Sequence, residues 1–458
     1  MTGAVKPAKE SDPEALRYNE LSPPSVMAST RRRLFNREAS FRATGKEPIM
    51  QVVHERCAGL DVHKKSVFAC VMCLESNGSK HVEIRSFGTV TRELLKLQDW
   101  LRENHITHVA MEATGVYWRP IWAVLEGQFE LMLVNPHQIK AIPGRKTDAK
   151  DCEWIADLLQ HGLIRGSFVP VAAIQDLRDL TRYRAELTQE RNRVDNRIQK
   201  LLEQCNIKLS SVASDTLGAS GRSMIEAIIA GEDNPEQLAE LAKRKLRAKI
   251  PELRLALEGR VRDHHRFLLK EYLQEWKAIG ERIERIEREI DRKIVPFESV
   301  AKLWESIPGV NHVTACNLVA EIGVNMDQFP TAHNLASWAG VCPGNHESAG
   351  KRLSGSTRDG NNWLRRSLCQ SAWAASRQGN CYLSSQFRRI AARRGSKRAL
   401  MAVAHSMLVI AHTMLKTGRT YHELGGGYLD LINKEQLQRY FVKRLQNLGL
   451  TVTLEPAA

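Results

Sequence analysis

Apolar and polar residues follow different spacings along this chain of 458 residues, and the main change falls near residue 170. From about 51 to 170, short apolar runs alternate with stretches in which apolar residues recur three and four positions apart. These patterns predict strands and amphipathic helices respectively. They give the order β-β-β-α-β-α-β-α, with the last helix in TDAKDCEWIADLLQHG ending at Gly162. We therefore expect a mixed α/β domain.

Heptad-like spacing predicts long helices between about 173 and 300. Two sets of apolar residues keep this spacing: Leu177, Leu180, Leu187, Val194, Ile198 and Leu201, and then Ile279, Ile283, Ile286, Ile290 and Ile294. Apolar seams with charged flanks are typical of coiled coils. A long antiparallel helical hairpin would bring the two ends of this region together. The pattern favours a helical spacer inside one unit and a dimerising coil about equally.

A third pattern begins near residue 301. The stretch SIPGVNHVTACNLVAEIG predicts two helices around a turn at 308–311, followed by a Gly-rich loop and apolar helices. A helix-hairpin-helix of this kind offers backbone N–H groups to phosphates, although a plain helical hairpin fits equally well.

These patterns predict a multidomain α/β plus α protein in five segments. Residues 1–50 form a basic extension that we expect to be disordered, and 51–172 form the mixed-sheet domain. Residues 173–300 form the coiled-coil helical insert, 301–417 a mostly helical third domain, and 418–458 a C-terminal tail.

The charge balance points to a polyanionic partner. The chain has 67 Lys and Arg against 52 Asp and Glu, a formal net charge of +15, and such an excess suits nucleic acid. The most apolar run, 398–416, contains two histidines, so a buried helix explains it better than a membrane span. The nine cysteines are scattered, and we expect reduced, mostly buried thiols in a cytoplasmic protein.

Two carboxylates lie three residues apart where a helix is predicted to start. Asp148 and Asp151 follow a basic turn that contains Arg145 and Lys146. Acidic residues suit the first turn of a helix because of its dipole. Residues at this spacing also share one helix face, as ligands of one metal must. The stretch alone favours the first explanation.

Two further acids lie in predicted strands, Asp61 in the first and Glu112 at the end of the fourth. These strands are neighbours in ribonuclease-H-like sheets, and the helix of Asp148 and Asp151 packs across their ends. Four carboxylates would then converge, and hard oxygen ligands select Mg²⁺ or Mn²⁺. Two such ions about 4 Å apart serve phosphodiester chemistry, and a nucleic-acid backbone would suit Arg145 and Lys146.

Four stretches carry a resemblance to a known family: GLDVHK, MEATGVYW, NPHQIKAIPGRKTDAKDCEWIADLL and the segment from IPGVNHVTACNLVAEIG to ASWAGVCPGNHESAGKRLSG. They resemble the insertion-sequence transposases of the IS110 family, IS1111 group, which have an Asp-Glu-Asp-Asp (DEDD) catalytic set and are guided by a bridge RNA. The resemblance covers about 55–417. It implies a RuvC-like domain, a coiled-coil insert and a transposase domain with a nucleophilic serine.

On this resemblance, the catalytic acids are Asp61, Glu112, Asp148 and Asp151, and the nucleophile is Ser348 in ESAGK. Composition alone leaves Ser354 and Ser356 as rivals, since a serine in a Gly-rich loop is usually a turn residue. A basic cluster that can hold the scissile phosphate lies nearby: Lys351, Arg352, Arg358, Arg365 and Arg366. The family usually has Gly where this chain has Asn311, and Asn is the next best residue for a left-handed turn.

The sequence therefore predicts a DNA transposase that acts by metal-assisted transesterification through Ser348. The resemblance implies a bridge RNA, a tetramer built as a dimer of dimers, and active sites shared between subunits at the bacterial nucleoid. One alternative is a RuvC-like structure-specific nuclease that uses water as its nucleophile. Another is a non-catalytic nucleic-acid scaffold, in which the four acids do not meet.

Overall fold

The computed structural model describes residues 52–75, 78–136, 139, 151–344, 346–348, 351–354, 356–357, 359–432 and 434–455. For 346–348 and 351–354 the description is of the backbone. The contacts divide the chain into two units, one ending at Ser167 and the other beginning at Phe168. We call them the sheet unit and the helical unit. The boundaries of the five predicted segments stay predictions.

Within its described residues, the sheet unit contains five strands and three helices. The strands are β1 (Arg56–Val62), β2 (Ser66–Leu74), β3 (Lys80–Gly88), β4 (His108–Glu112) and β5 (Glu130–Val134), and the helices are α1 (Thr91–Glu103), α2 (Trp118–Leu125) and α3 (Asp151–Gln160). Their order along the chain is the one that the sequence predicts. The sheet order is β3-β2-β1-β4-β5.

Strand direction makes this a mixed sheet. β1 pairs antiparallel with β2 and parallel with β4, and β4 pairs parallel with β5. The first and fourth strands are therefore neighbours, as expected for a ribonuclease-H-like α/β domain. β1 is the central strand, and Cys57, Ala58 and Leu60 are fully buried because side chains on both of its faces are covered.

The helical unit is built from long and short helices and one small hairpin. Its helices are α4 (Ala172–Gln204), α5 (Leu209–Val212), α6 (Ala219–Ala230), α7 (Pro235–Glu240), α8 (Ile250–Ala256), α9 (Asp263–Ile294), α10 (Glu298–Glu305), α11 (His312–Ile322), α12 (Ala332–Trp338), α13 (Asn362–Ser376), α14 (Tyr382–Arg394), α15 (Ser396–Thr417), α16 (Tyr428–Ile432) and α17 (Lys434–Gln446). The hairpin consists of β6 (His346–Ser348) and β7 (Lys351–Ser354).

The long helices α4 and α9 run antiparallel. Three ion pairs fix their direction, because residues early in α4 meet residues late in α9: Asp176 with Lys293, Arg184 with Glu287, and Arg197 with Glu275. Most residues of the two predicted seams are buried in the helical unit, and Leu180 and Ile286 pack beside them. The heptad pattern thus serves packing within this unit, and a dimerising role stays a prediction.

The turn between α10 and α11 corrects one expectation. Gly309, with φ +87°, takes the left-handed conformation. Asn311 is extended at φ −98° and ψ 172°, and its side chain caps α11 by accepting from the backbone N–H of Thr314. A Cβ at Gly309 would lie 2.4 Å from the carbonyl oxygen of Ser371 on α13. The close approach of α13 therefore requires glycine at 309, and Asn311 is a helix cap.

The apolar run at 398–416 forms helix α15. By length and composition it is the one helix among the described residues that could cross a membrane. It packs in the core of the helical unit, where Val403, Met407 and Leu408 are fully buried. His412 is buried too, and its Nε2 lies 2.8 Å from the carbonyl oxygen of Phe329. All nine cysteines are free thiols, and seven are buried.

Candidate active site

Helix α3 lies directly against strand β1, and a glycine makes this possible. A Cβ at Gly59 would lie 2.2 Å from the carbonyl oxygen of Cys152 and 2.4 Å from the backbone nitrogen of Ala156. One pleat earlier on β1, the thiol of Cys57 contacts the carbonyl oxygen of Ala156 at 3.6 Å. Side chains two apart on a strand share a face. Cys57, Gly59 and Asp61 therefore all face α3.

The direction of α3 determines which of its residues approaches Asp61. Its last residue, Gln160, accepts hydrogen bonds from the backbone N–H groups of Val53 and His54, which precede β1. Ala156 then contacts Cys57, and Cys152 lies against Gly59, which is two residues further along β1. The helix thus runs opposite to the strand, so its first residue, Asp151, lies towards the Asp61 end.

Strand register places Asp61 and Glu112 beside each other. In the parallel pair of β1 and β4, Gly59 is opposite Ala110 and Leu60 is opposite Met111. Asp61 and Glu112 are the next residue on each strand, and neighbouring strands lie about 4.8 Å apart. Ala110 packs with Cys152 and Ala156 of α3, so Glu112, two residues on, faces the same side as Asp61. Both carboxylates therefore emerge at one end and one face of the sheet.

The acids lie in a partly buried region that contains several carboxylates. The side chain of Asp61 is 17% exposed, and its Oδ2 lies 3.1 Å from Nε2 of His63, which is half-exposed. Burial raises the pKa of the Cys152 thiol to about 11, and the charge of Asp61 contributes to that rise. Cys152 is therefore a protonated thiol at neutral pH. Asp151 and Glu153 add two more carboxylates in the first turn of α3.

The donor chemistry of the acids suits a hard divalent cation, because Asp61, Glu112 and Asp151 offer only carboxylate oxygens. Within the described part of the chain, no group of three or more His, Cys, Asp or Glu side chains is arranged to hold a metal ion. Asp148, the fourth predicted acid, lies outside the described residues, as do Arg145 and Lys146. The sheet thus brings Asp61 and Glu112 to the same end of strands β1 and β4, and the direction of α3 places Asp151 towards that end.

The predicted nucleophile lies on the small hairpin of the helical unit. Ser348 is the last residue of β6 and is opposite Lys351, and Arg352 is opposite Glu347. The rival Ser354 is opposite His346. The other rival, Ser356, is exposed, and its carbonyl oxygen accepts from the backbone N–H of Gly344.

The base of this hairpin is closed by backbone contacts. Pro343 and Thr357 form an antiparallel bridge. A Cβ at Gly360 would lie 2.5 Å from the backbone nitrogen of Gly340. The chain segments before and after the hairpin therefore lie against each other, and glycine at 360 is required by that approach.

A buried charge network, which the sequence patterns did not predict, follows the hairpin. Glu321 of α11 is 2% exposed and accepts two hydrogen bonds from Arg182, at 2.7 and 2.8 Å. Asn361 donates to Glu321 at 2.6 Å, and its Oδ1 caps α13 by accepting from the backbone N–H groups of Trp363 and Leu364. The one signal in the sequence was a glutamate in the apolar run CNLVAEIG.

The predicted basic cluster is only partly described. Arg365 donates to the side-chain oxygen of Asn362 at 2.5 Å. Arg366 is exposed, and its guanidinium lies 5.4 Å from the ring centre of Trp363. Lys351 and Arg352 lie on β7, and Arg358 lies outside the described residues. The structure therefore places Arg365 and Arg366 on the first turn of α13, just after the hairpin.

Two family models match the chain. One, described as a transposase and named for the DEDD transposases of IS110, matches residues 58–207. The other, described as the transposase IS116/IS110/IS902 family, matches residues 301–388. Together they cover just over half of the chain, and they include the β1 acid Asp61, the α3 acid Asp151 and the hairpin with Ser348.

Curated proteins with related sequences have names that agree with these models. The transposase for insertion sequence element IS1111A of Coxiella burnetii is 25% identical over 60% of this chain and 68% of its own length. The insertion element IS110 43.6 kDa protein of Streptomyces coelicolor is 28% identical over 51% of this chain and 61% of its own length. A RuvC structure from Thermus thermophilus aligns over 24% of this chain and 99% of its own at 13% identity, with a TM-score of 0.19, too low to support a conclusion.

Proposed function

This chain belongs to the IS110 family of insertion-sequence transposases, and we propose that it cuts and rejoins element ends and target DNA through a serine ester. It is a DNA transposase, and the proposal concerns how it acts. The observation that carries it is the parallel register of β1 and β4. This register brings Asp61 and Glu112 to the same end of their strands and to the same face of the sheet. Helix α3 begins with Asp151, and its direction along β1 places that residue towards the same end.

The carboxylate oxygens at this end of the sheet are donors that suit divalent metal ions. We assign Asp61, Glu112, Asp148 and Asp151 as their ligands, with two Mg²⁺ or Mn²⁺ ions per active site. Bound cations would offset the negative charge of the scissile phosphate. The partly buried position of Asp61 keeps its carboxylate in a medium of low dielectric constant, which strengthens such an interaction. His63, whose Nε2 lies 3.1 Å from Oδ2 of Asp61, is positioned to orient this carboxylate.

Ser348 is the proposed nucleophile. Its hydroxyl oxygen forms a bond to phosphorus, a phosphorus–oxygen bond of the DNA breaks, the serine proton passes to water, and the leaving sugar oxygen takes up a proton. The phosphoserine ester retains the energy of the phosphodiester, so a second DNA hydroxyl can reverse the exchange without ATP. Lys351, Arg352, Arg358, Arg365 and Arg366 are proposed to hold the phosphate backbone.

Guidance by a bridge RNA and assembly as a tetramer, a dimer of dimers, belong to this proposal as well. The support for both is the resemblance to the IS110 family. The net charge of +15 supports binding of nucleic acid of either kind.

Cleavage assays on matched carboxylate variants test the proposal. Purified full chain is mixed with labelled element-end DNA, the flanking RNA of the element and Mg²⁺. Asp61→Asn and Glu112→Gln should each reduce cleavage by at least about 10³-fold, because the charge opposite the phosphate is no longer compensated. The matched control is Asp157→Asn, which removes a carboxylate on α3 that is paired with Lys80.

Two results would contradict the assignment. Near-normal cleavage by Asp61→Asn or Glu112→Gln would exclude that residue from the catalytic set. An equal loss of cleavage in Asp157→Asn would show that the losses come from disturbed folding and not from the removal of catalytic groups. Cleavage that depends on the acids but leaves free DNA ends, with no protein attached, would instead support a nuclease that uses water.

A further inference from the structure

A cavity of about 410 Å³ lies within the helical unit, lined by residues of α4, α11 and α13. Its described lining includes none of the acids assigned above and no residue of the β6–β7 hairpin. A volume of this size is within the range of small-ligand sites in proteins. The lining is rich in groups that bind nucleotides, namely Arg366, Trp363, Asn317, Gln189, Gln370 and Asn192.

Of the three arginines among the described residues that line the cavity, Arg366 is the one that can bind an anion. Arg182 is bound by the buried Glu321, and Arg184 is bound by Glu287. Among the described residues, no carboxylate lies within ion-pair distance of Arg366, whose guanidinium is held over the ring of Trp363. An arginine placed in this way can donate to two oxygens of one phosphate.

Asn317 supplies a second, independent signal. Its side-chain Oδ1 is buried, and no described group donates a hydrogen bond to it. A buried acceptor without a donor costs about 1–3 kcal/mol, so an occupant with an N–H or O–H group would relieve this cost. Side-chain amides are the groups that pair with the edges of nucleobases, and Gln189 and Gln370 add two more amides to the lining.

We propose that this cavity binds one unpaired nucleotide of a DNA or RNA strand, with its phosphate on Arg366 and its base or sugar donating to Asn317. The inference rests on the proposed function only in taking nucleic acid as the partner. An unpaired nucleotide is required because a base that is stacked and paired inside a duplex cannot enter a pocket. The described residues that line it all belong to the helical unit.

The cavity also adjoins the network that follows the serine hairpin. Glu321 lines the cavity and binds both Arg182 and Asn361. Asn361 caps α13, the helix that carries Trp363 and Arg366. A nucleotide in the cavity would thus contact the same helix start that the buried glutamate holds in place.

Two arginines that lie over tryptophan rings provide a matched test. Arg366→Gln on the first turn of α13 and Arg377→Gln just after its end remove the same charge, but only Arg366 lines the cavity. The probes are 5′-labelled 12-nucleotide single strands of DNA and of RNA, and fluorescence anisotropy gives Kd without Mg²⁺. Arg366→Gln should weaken binding about tenfold and Arg377→Gln less than about threefold. The strand that shows this difference identifies whether DNA, RNA or both supply the nucleotide.

A neutral substitution separates recognition from general charge attraction. Asn317→Leu should weaken binding about fivefold with an unchanged salt dependence, because it removes a hydrogen-bonding group and no charge. Circular dichroism and the thermal midpoint check that the variant is folded. A fully paired duplex of the same length should compete poorly with the single strand.

Three results would overturn the inference. These are equal losses for Arg366→Gln and Arg377→Gln on both strands, an unchanged Kd for folded Asn317→Leu, or equal competition by the duplex. Because binding is measured without cleavage, the cavity can fail this test while the catalytic assignment stands. Equally, loss of the catalytic assignment leaves this measurement unaffected.

Discussion

The sheet unit and the helical unit position their proposed catalytic residues by different means. In the sheet unit, strand register and the close approach at Gly59 place the acids, so their location follows from the backbone. In the helical unit, the hairpin with Ser348 is followed by a capping asparagine that is bound to a buried glutamate. The acids of the sheet unit are positioned by backbone packing, whereas the segment that follows the serine hairpin is also held by side-chain hydrogen bonds and charges.

The two units also differ in charge. The helical unit, from residue 168 onward, has 44 Lys and Arg against 32 Asp and Glu, a net +12. The sheet unit has 23 against 20, a net +3. Most of the attraction for nucleic acid should therefore come from the helical unit, while the sheet unit contributes the carboxylates. Matched variants in the two units test this division.

Salt should weaken nucleic-acid binding strongly. With six to ten phosphate contacts, affinity falls about 10³–10⁵-fold between 50 and 200 mM salt. Arg393→Gln with Arg394→Gln, two exposed cations of the helical unit, should lower the slope of log affinity against log salt by about 2. Arg92→Gln with Arg102→Gln in the sheet unit should lower it by less than about 1. Equal changes in the two pairs would contradict the division of charge.

Removing the buried glutamate should destabilise the helical unit. Glu321→Ala leaves Arg182 and Arg178 partly buried without their carboxylate and should cost about 3–5 kcal/mol. Denaturant unfolding measures this loss. Glu289→Ala, which removes a surface carboxylate paired with Arg292 on α9, is the control and should leave stability unchanged within error. A loss below about 1 kcal/mol for Glu321→Ala would show that the network is not required.

A methyl group at Gly59 should disturb the sheet unit specifically. Gly59→Ala forces α3 away from β1 and should cost about 1–3 kcal/mol of stability, with a loss of DNA cleavage as Asp151 moves. Gly379→Ala in the helical unit meets no described atom within 4 Å and serves as the control. Single-strand binding should be retained in both variants. Normal cleavage by Gly59→Ala would show that the contact of α3 with β1 does not position the acids.

The smallest effect is a pH dependence in the helical unit. Hydrogen bonds that His312 donates to the carboxylates of Glu305 and Asp291 raise the pKa of His312. Because the folded pKa lies above the unfolded value of about 6.5, this stabilisation is fully present below about pH 6.5 and is lost as pH rises through the folded pKa. The half-exposed histidine should contribute less than about 1 kcal/mol. His312→Gln should remove this part of the pH dependence; an unchanged profile would contradict it.

The sequence predicted the sheet unit better than the helical unit for a physical reason. Alternating apolar residues identify strands locally, and the neighbouring position of the first and fourth strands then brings Asp61 to Glu112. The close packing of α3 against Gly59 could not be predicted, because Cys152, the residue of α3 that lies against it, is 93 residues further along the chain.

In the helical unit, heptad spacing identified α4 and α9, and 308–311 was correctly predicted as a turn. The strands β6 and β7 were missed because three or four residues carry too little periodicity. The expected conformation of Asn311 was wrong, since Gly309 takes the left-handed role. The network of Glu321 was missed because Arg182 and Asn361 are distant in sequence.

The central claim is that Ser348 and the acids of the sheet unit serve one transesterification, and a covalent adduct tests it most directly. Full-length protein is incubated with labelled element-end DNA, the matching RNA and Mg²⁺, and separated on a denaturing gel. Wild type should give a slow, protease-sensitive band, and mass spectrometry should locate the nucleotide on Ser348. Ser348→Ala should bind the DNA normally and give no band, and Asp61→Asn should also give none. A band that persists in Ser348→Ala, or cleaved ends free of protein in wild type, would contradict the account.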